Sequence, residues 1–392
     1  MSTAPGATRR LRPLQVRNAR AAYYPSASVT VSANQSAQGS TIRSDDFVYR
    51  QGVAGNFLGG ANLNANVPID VSGIIRRQVQ QARIGEEMSN VLLRDSRDDA
   101  VAQVYIAYLT ALRAQQVAEI DGRVRQSIED LVARAHAAPA VVPFLNLELA
   151  AARQAESASR SAAEQAEDGL KQALALPLDL ELDLSSPLVR PRPDPAFAVL
   201  GGTLGRRADI EAATDRVRQA ELAATQAGDG RRTTVTAGAY LNQYFGGHFV
   251  SDTGRTSNRD YGLNLSLRLP LFNYDAGRLE NNERIADLRA EQARADLADQ
   301  RRRAELEARQ ARAVYDRAMR RLSALPDPEA ARRALAAAET ALLAASAERA
   351  PGLLAQLSNA RMAWRAAQVA SADAFAEATI ATIRLRRAIG GM

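Results

Sequence analysis

Leu-Asn-Leu-Ser-Leu-Arg-Leu-Pro-Leu occupies residues 263–271, and Ala-Asn-Leu-Asn-Ala-Asn-Val-Pro-Ile occupies residues 61–69. Both stretches alternate apolar and polar residues before a proline. Because successive side chains of a β-strand point to opposite faces, each stretch predicts a strand with one apolar and one polar face. About 9 to 11 residues of this kind let a tilted strand cross a bilayer, with lipid on one face and water on the other.

A long alanine- and arginine-rich helical pattern follows each of these strands, which predicts an internal duplication. We expect a mainly α protein with some β structure, in which residues 1–176 form a first repeat, 177–203 a connector and 204–392 a second repeat. The first repeat is predicted to have strands at about 28–36 and 58–70 and helices at about 74–138 and 144–176. The second is predicted to have strands at about 233–245 and 260–272 and helices at about 204–227, 278–349 and 353–389.

A polar segment and a proline pair interrupt the predicted strands and helices. Residues 34–57 are rich in Ser, Gly, Asp and Asn, which predicts a long polar loop between the first two strands. Leu-Pro-Asp-Pro at 325–328 interrupts the second long helix. Proline in a helix interior removes a backbone hydrogen bond and costs about 3 kcal/mol. We therefore expect the helix to break there and to restart at Glu329.

The composition excludes several classes of function. The chain has no cysteine, so disulfides and thiolate sites are excluded. Its net charge of +6 comes almost entirely from arginine, since Lys171 is the only lysine. These arginines are interleaved with Asp and Glu along helical patterns, which argues against a nucleic-acid surface. His136 and His248 are isolated and lack metal-ligand spacing. We find no catalytic set and expect no enzymatic activity, no metal and no cofactor.

The chain contains no apolar run near the roughly 18 to 20 residues that a membrane-spanning helix needs. Residues 1–13 contain arginines but no apolar core of signal-peptide length. The second repeat also has about thirty more residues ahead of its first strand than the first repeat has. We therefore expect the first repeat to be truncated at its N-terminus. Either an export signal is encoded upstream or the protein is not exported.

Three short motifs carry a resemblance to a known family. Ala-Arg-Ala-Ala-Tyr-Tyr-Pro-Ser at 19–26 resembles a helix-to-strand entry, and Leu-Pro-Leu-Phe at 269–272 with Gly277 resembles a strand-to-helix exit. Arg-Arg-Ala-Asp-Ile at 206–210 resembles the start of a second repeat, although Ala208 stands where proline is usual. In this order and spacing, the motifs resemble the TolC-like outer-membrane efflux protein family, over almost the whole chain from about Val16 to Ile389.

The resemblance implies a homotrimer in the outer membrane. Each chain contributes four strands to one transmembrane β-barrel, and its helices contribute to a long periplasmic coiled-coil tube. In that arrangement Leu263, Leu265, Leu267, Leu269 and Leu271 face lipid. The barrel lumen is lined by Asn264, Ser266 and Arg268. Tyr23, Tyr24, Phe272 and Tyr274 form an interfacial aromatic girdle. The implied function is an exit duct for efflux or type I secretion, which conducts small molecules or polypeptides.

The resemblance also implies partners and an entrance. A periplasmic adaptor protein and an inner-membrane pump are the expected partners, and the adaptor meets the two helical turns that contain Pro139, Pro143, Pro351 and Gly352. Family members often narrow the periplasmic entrance with aspartates one turn beyond the second helical turn. Here the matching positions are Gln356 and Asn359, with Arg361 nearby, and the first turn offers Asn146 and Glu148. These replacements predict a neutral or cationic entrance instead of an anionic one.

Two alternative classes remain open at this point. The long helices by themselves are typical of a structural coiled-coil protein, periplasmic or cytosolic, whose strands would form a soluble sheet. A helical nucleic-acid-binding protein is the other alternative. A channel wall differs from both in requiring apolar residues at every second position of all four strands.

Overall fold

The computed structural model describes residues 5–38, 41–44, 47–50, 54–134, 141–184, 186–193, 207–248, 256–270, 277–344 and 349–390. Its strands are β1 Ser26–Gln38, β2 Thr41–Ser44, β3 Phe47–Arg50, β4 Ala54–Ile69, β5 Thr234–His248 and β6 Thr256–Arg268. Its α-helices are α1 Pro5–Ala21, α2 Ile74–Arg134, α3 Val142–Ala173, α4 Ala208–Ala227, α5 Arg278–Ser323, α6 Pro328–Leu343 and α7 Ala350–Ala388. The prediction of a mainly helical chain with a minor β component is confirmed.

The chain divides into two compact units. One comprises Met1–Val91 and Ala212–Leu297, and the other comprises Leu92–Glu211 and Ala298–Met392. Each unit therefore combines segments from both halves of the sequence. The duplication of residues 1–176 and 204–392 as two repeats stays a prediction.

The first unit is built on a four-stranded antiparallel sheet with the strand order β1-β4-β5-β6. The hairpins β1-β4 and β5-β6 are joined through the pairing of β4 with β5, in which Asn62 lies opposite Asn242. Among the described residues, β1 and β6 have no strand on their outer sides, so both edges of the sheet are open.

The predicted loop over residues 34–57 is partly wrong. β1 continues to Gln38, β4 begins at Ala54, and β2 and β3 form a short antiparallel hairpin between them. The reason is local, because Ile42, Phe47, Val48 and Tyr49 are β-branched or aromatic residues that favour strands, despite their polar surroundings. At the other end of the sheet, β6 stops at Arg268, ahead of Pro270, which has no N–H to give to a ladder. Residues 271–276, with Leu271, Phe272 and Tyr274, lie outside the described residues.

The second unit is held together by helix packing. Small residues of α5 and α7, such as Ala318, Ala374 and Ala378, are buried against each other with Tyr315 and Leu385. The predicted break in the second long helix is confirmed, since α5 ends at Ser323 and α6 begins at Pro328. The side chain of Asp327 caps α6 by accepting a hydrogen bond from the N–H of Glu329 at 3.0 Å. No helix in the described part of the chain is both long and apolar enough to cross a membrane.

Candidate functional site

The strand register gives the sheet one apolar face. Residues directly opposite each other in antiparallel strands project from the same side of the sheet. Leu63 lies opposite Val29 on one side and Leu241 on the other, and Ala239 lies opposite Leu263. The same alternation puts Val31, Ala65, Ala237, Leu265, Val235 and Leu267 on this face. The apolar positions of all four strands thus form one continuous surface.

This apolar face is exposed in the isolated chain. Leu263 is 88% exposed, Val31 77%, Leu265 72% and Leu267 58%. Large contiguous apolar patches are rare on monomeric soluble proteins and mark interaction with a membrane or a partner. The face is therefore a candidate contact surface for a membrane or a partner.

The opposite face is lined by amides and hydroxyls. An asparagine cluster forms at its centre, in which the amide of Asn64 donates to Asn62 and the amide of Asn62 donates to Asn242. The side chains of Asn66 and Asn264 complete the cluster, because their oxygens converge over Gly238, where a Cβ would not fit. The register also puts Ser266 opposite Thr236 and Arg268 opposite Thr234, on the face of Asn264. The predicted lumen residues Asn264, Ser266 and Arg268 thus share the polar face.

A glycine gives this polar face room for the side chain of Tyr240. Tyr240 lies opposite Gly262, and a Cβ added at Gly262 would be 2.8 Å from the Tyr240 hydroxyl oxygen. Any larger residue at 262 would displace the ring. Tyr240 therefore lies over β6 because residue 262 has no side chain.

The helical turns predicted to form the entrance are brought together in the second unit. A turn cluster of buried side chains joins α2, α3, α6 and α7, and consists of Leu131, Val141, Leu145, Leu335, Leu342, Leu354 and Leu357. Gln356 and Asn359 of α7 and Asn146 of α3 are exposed beside it. Pro143 and Gly352 are also exposed near the starts of α3 and α7. Pro351 lies in the first turn of α7, and Pro139 lies outside the described residues.

Arg361 is buried and forms an ion pair. It is 4% exposed, and its Nη1 donates to Glu148 Oε2 at 2.5 Å. Burial lowers the pKa of Arg361, and the nearby carboxylates of Glu148 and Glu339 offset this only in part. The guanidinium stays charged at neutral pH. Glu148 is thus the ion-pair partner of Arg361 within one chain, and a cationic entrance stays a prediction.

A second ion pair joins α7 to α2. Arg365 of α7 donates from Nε and Nη2 to the two carboxylate oxygens of Asp121 in α2, at 2.5 and 3.0 Å. Asp121 is 2% exposed. Trp364 packs against the turn cluster and also against a neighbouring apolar cluster of α2 and α3. Charged and apolar contacts together hold α7 to α2 and α3.

Sequence reasoning missed an ion-pair network near the start of α4. Arg207 donates to Asp209 at 2.8 Å, to Glu307 at 2.7 Å and to the carbonyl oxygen of Ala388 at the end of α7 at 2.8 Å. Burial works to raise the pKa of Asp209, but hydrogen bonds from Arg207 and Gln300 outweigh it and lower that pKa. The Arg-Arg-Ala-Asp-Ile motif at 206–210 contains Arg207 and Asp209. It does not indicate the other two partners of Arg207, which lie about 100 and 180 residues further along the chain.

Arg387 extends this network by binding Asp95 and Asp99 of α2. Its Nε donates to Asp99 Oδ1 at 2.6 Å. Burial works to lower the pKa of Arg387, but the two aspartates outweigh it and raise that pKa. Within the described residues, no three His, Asp or Glu side chains are grouped in a way that could hold a metal ion.

Solved structures share this architecture over nearly the whole chain. The outer-membrane channel OprN superimposes with a TM-score of 0.76 at 22% identity, covering 99% of this chain and 86% of OprN. The chain has the fold of TolC-like outer-membrane channels. The open state of the MtrE outer membrane channel of Neisseria gonorrhoeae gives a TM-score of 0.73 at 19% identity, over 99% of this chain and 85% of MtrE.

The outer membrane protein VceC of Vibrio cholerae gives a TM-score of 0.71 at 19% identity, over 99% of this chain and 92% of VceC. No protein-family model and no curated protein matches the sequence. The TolC-like resemblance predicted from the three sequence motifs is thus confirmed at the level of fold.

Proposed function

We propose that the protein is the outer-membrane exit duct of an efflux or type I secretion system. The observation that carries this proposal is the two-sided sheet, with exposed leucines and valines on one face and the asparagine cluster on the other. Such a sheet suits a wall between lipid and water. OprN and MtrE, which share the fold, are outer-membrane channels.

The proposed assembly is a homotrimer. The four strands leave two edges with unpaired backbone groups, which hydrocarbon does not tolerate. A closed barrel requires β6 of one copy to pair with β1 of the next copy. The number of copies, three, comes from the resemblance to TolC-like proteins. The strands have 13 to 16 residues, enough for the roughly 9 to 11 that a tilted crossing needs.

In this trimer the lipid would contact Leu263, Leu265 and Leu267. The asparagine cluster, with Ser266 and Arg268, would line the water-filled lumen. The alternative of a soluble structural protein is disfavoured because it leaves an apolar face of Leu63, Leu241 and Leu263 in water.

The turn cluster would lie at the periplasmic entrance. Gln356 and Asn359 are exposed on one face of α7, and three copies of each would ring the axis. Arg361 and Glu148 would act as a buried pair that holds α7 to α3, and Asn146 would lie exposed nearby. The adaptor protein of an inner-membrane pump would contact the two turns, near Pro139 and Pro143 and near Pro351 and Gly352.

Transport through such a duct would be passive, with energy supplied by the inner-membrane pump. The protein would have no catalytic role and would conduct small molecules or polypeptides from the periplasm to the exterior.

Reconstitution tests the proposal directly. The full chain, purified in dodecyl maltoside, would be added to a planar lipid bilayer. We expect discrete conductance steps of uniform size and a sedimentation mass of three chains. A protein that sediments as a soluble single chain without detergent and gives no conductance would show that the fold serves another purpose here.

A further inference from the structure

An open groove in the first unit has no role in the proposed duct. It measures about 1080 Å³ and lies among the last turn of α1, the first turns of α2 and the C-terminal half of α4. Small-molecule pockets usually measure about 300 to 1,000 Å³. Val79 and Ile84 of α2 line it with apolar surface and are 6% and 8% exposed. The groove is thus large enough for a ligand with both polar and apolar parts.

Unpaired arginines converge on this groove. Arg76, Gln80, Arg83 and Glu87 follow one another along α2 at spacings of four, three and four residues, so they share one helix face. Arg20 reaches the same groove from the last turn of α1. The guanidinium groups of Arg20, Arg76 and Arg83 form no ion pair with any residue that the structure describes.

The other charged groups of the groove are largely neutralised. Glu221 accepts from Arg294 at 2.7 Å, and Arg218 is paired with Asp215 at 3.2 Å. Glu87 is the one lining carboxylate without an ion pair to a described residue. Three unpaired cations against one unpaired carboxylate leave an excess of positive charge.

The groove adjoins the sheet. The hydroxyl of Tyr23 donates to Asp70 Oδ2 at 3.4 Å, and Asp70 also accepts from the N–H of Arg76 at 2.9 Å. Tyr24, which is 69% exposed, stands two residues before the start of β1. Tyrosine is enriched where a protein passes from hydrocarbon to water, because its ring is apolar and its hydroxyl is polar.

We propose that this groove binds the phosphate-bearing headgroup of an anionic phospholipid. The inference rests on the proposed function, which places the sheet in the membrane and therefore the groove at the membrane surface. Arginine binds phosphate through paired N–H groups in a fork. Arg76 and Arg83 would hold the phosphate, Arg20 would add charge, and Val79 and Ile84 would contact the first carbons of the acyl chains.

Calorimetric titration of the full chain in dodecyl maltoside tests this proposal. The probes are dihexanoylphosphatidylglycerol, a dihexanoyl glycolipid without phosphate, and inorganic phosphate. We expect saturable binding of the phospholipid and at least tenfold weaker binding by Arg76→Gln/Arg83→Gln. The matched control is Arg301→Gln/Arg303→Gln, which removes two exposed arginines of α5 and should bind like the parent.

Each other outcome would overturn the proposal. Equal affinity in the two double variants would show that general charge, and not the groove, attracts the lipid. Binding of the glycolipid with the same affinity would show that the groove does not recognise phosphate. Binding of inorganic phosphate with the same affinity would indicate a site for free anions. Sedimentation and conductance of the same samples report the trimer independently, so loss of lipid binding is distinguishable from loss of the channel.

Discussion

Leu263 and Leu265 of β6 are 88% and 72% exposed, whereas Leu145 and Leu357 of the turn cluster are 0% exposed. The helices α2, α3, α6 and α7 bury the leucines of the turn cluster between them. The buried charges beside it, Arg361 and Asp121, are paired within the same chain. The leucines of the sheet are exposed instead, and among the described residues neither β1 nor β6 has a strand on its outer side. The difference shows that the turn cluster is packed within one chain, and it agrees with the proposal that further copies and lipid cover the sheet.

The largest expected loss of stability comes from breaking the ion pair between Arg361 and Glu148 beside the turn cluster. Glu148→Gln leaves Arg361 buried without its counter-ion, and breaking such a pair costs about 3 to 5 kcal/mol. Urea unfolding followed by the fluorescence of Trp364, the only tryptophan, would measure the loss. The control Glu305→Gln removes an exposed partner of Arg309 at 3.8 Å and should cost about 1 kcal/mol or less. Equal losses in the two variants would mean that burial does not distinguish these pairs.

A smaller effect is expected in the sheet, and it depends on which face is changed. Leu265→Arg places a charge on the lipid face and should lower the stability of the folded barrel by about 2 to 4 kcal/mol. Ser266→Arg places the same charge on the polar face and should mainly change the conductance. Urea titrations of vesicle-inserted protein, read by heat-modifiable gel mobility, give the comparison. Similar losses from the two variants would contradict the assignment of the faces.

A local effect is expected at the break between α5 and α6. Asp327→Ala removes the cap of α6 and should cost about 1 kcal/mol, whereas Asp327→Asn keeps an acceptor for the N–H of Glu329 and should cost less. Thermal unfolding of both variants measures this. If Asp327→Ala has no effect, the turn cluster alone fixes the start of α6.

Asn359→Asp should have the smallest effect on stability, but it should change how the channel responds to divalent cations. Gln356 and Asn359 are neutral, and amides alone are poor ligands for Mg²⁺ or Ca²⁺. Single-channel currents of the parent should therefore be insensitive to divalent cations added from the periplasmic side, while Asn359→Asp should create a block. Strong block of the unmutated channel would show that other carboxylates line the entrance.

The two faces of the sheet were predictable because the alternation of apolar and polar residues involves only neighbours in sequence. Strict period-2 stretches such as 263–267 fixed which residues share a face, and Pro326 and Pro328 predicted the helix break. The hairpin of β2 and β3 was missed because the overall polarity of 34–57 outweighed short runs such as Phe47-Val48-Tyr49.

The burial of Arg361 was not predicted, for a different reason. Leu354, Leu357 and Arg361 are spaced by three and four residues, which places them on one helix face, whereas Gln356 and Asn359 lie on another. Helix phase could thus have separated Arg361 from Asn359. Its pairing with Glu148, 213 residues away, could not be predicted because it depends on how α3 and α7 pack.

The proposed duct requires that the leucine face of the sheet contact lipid and that the asparagine face contact water. Because the chain has no cysteine, single substitutions Leu265→Cys and Ser266→Cys allow a spin label to be placed on each face in turn. In vesicles, the label at 265 should relax faster with oxygen, which concentrates in lipid, and the label at 266 with a water-soluble nickel chelate. Equal accessibility of the two labels to both reagents, or the reverse preference, would show that the two faces do not separate lipid from water.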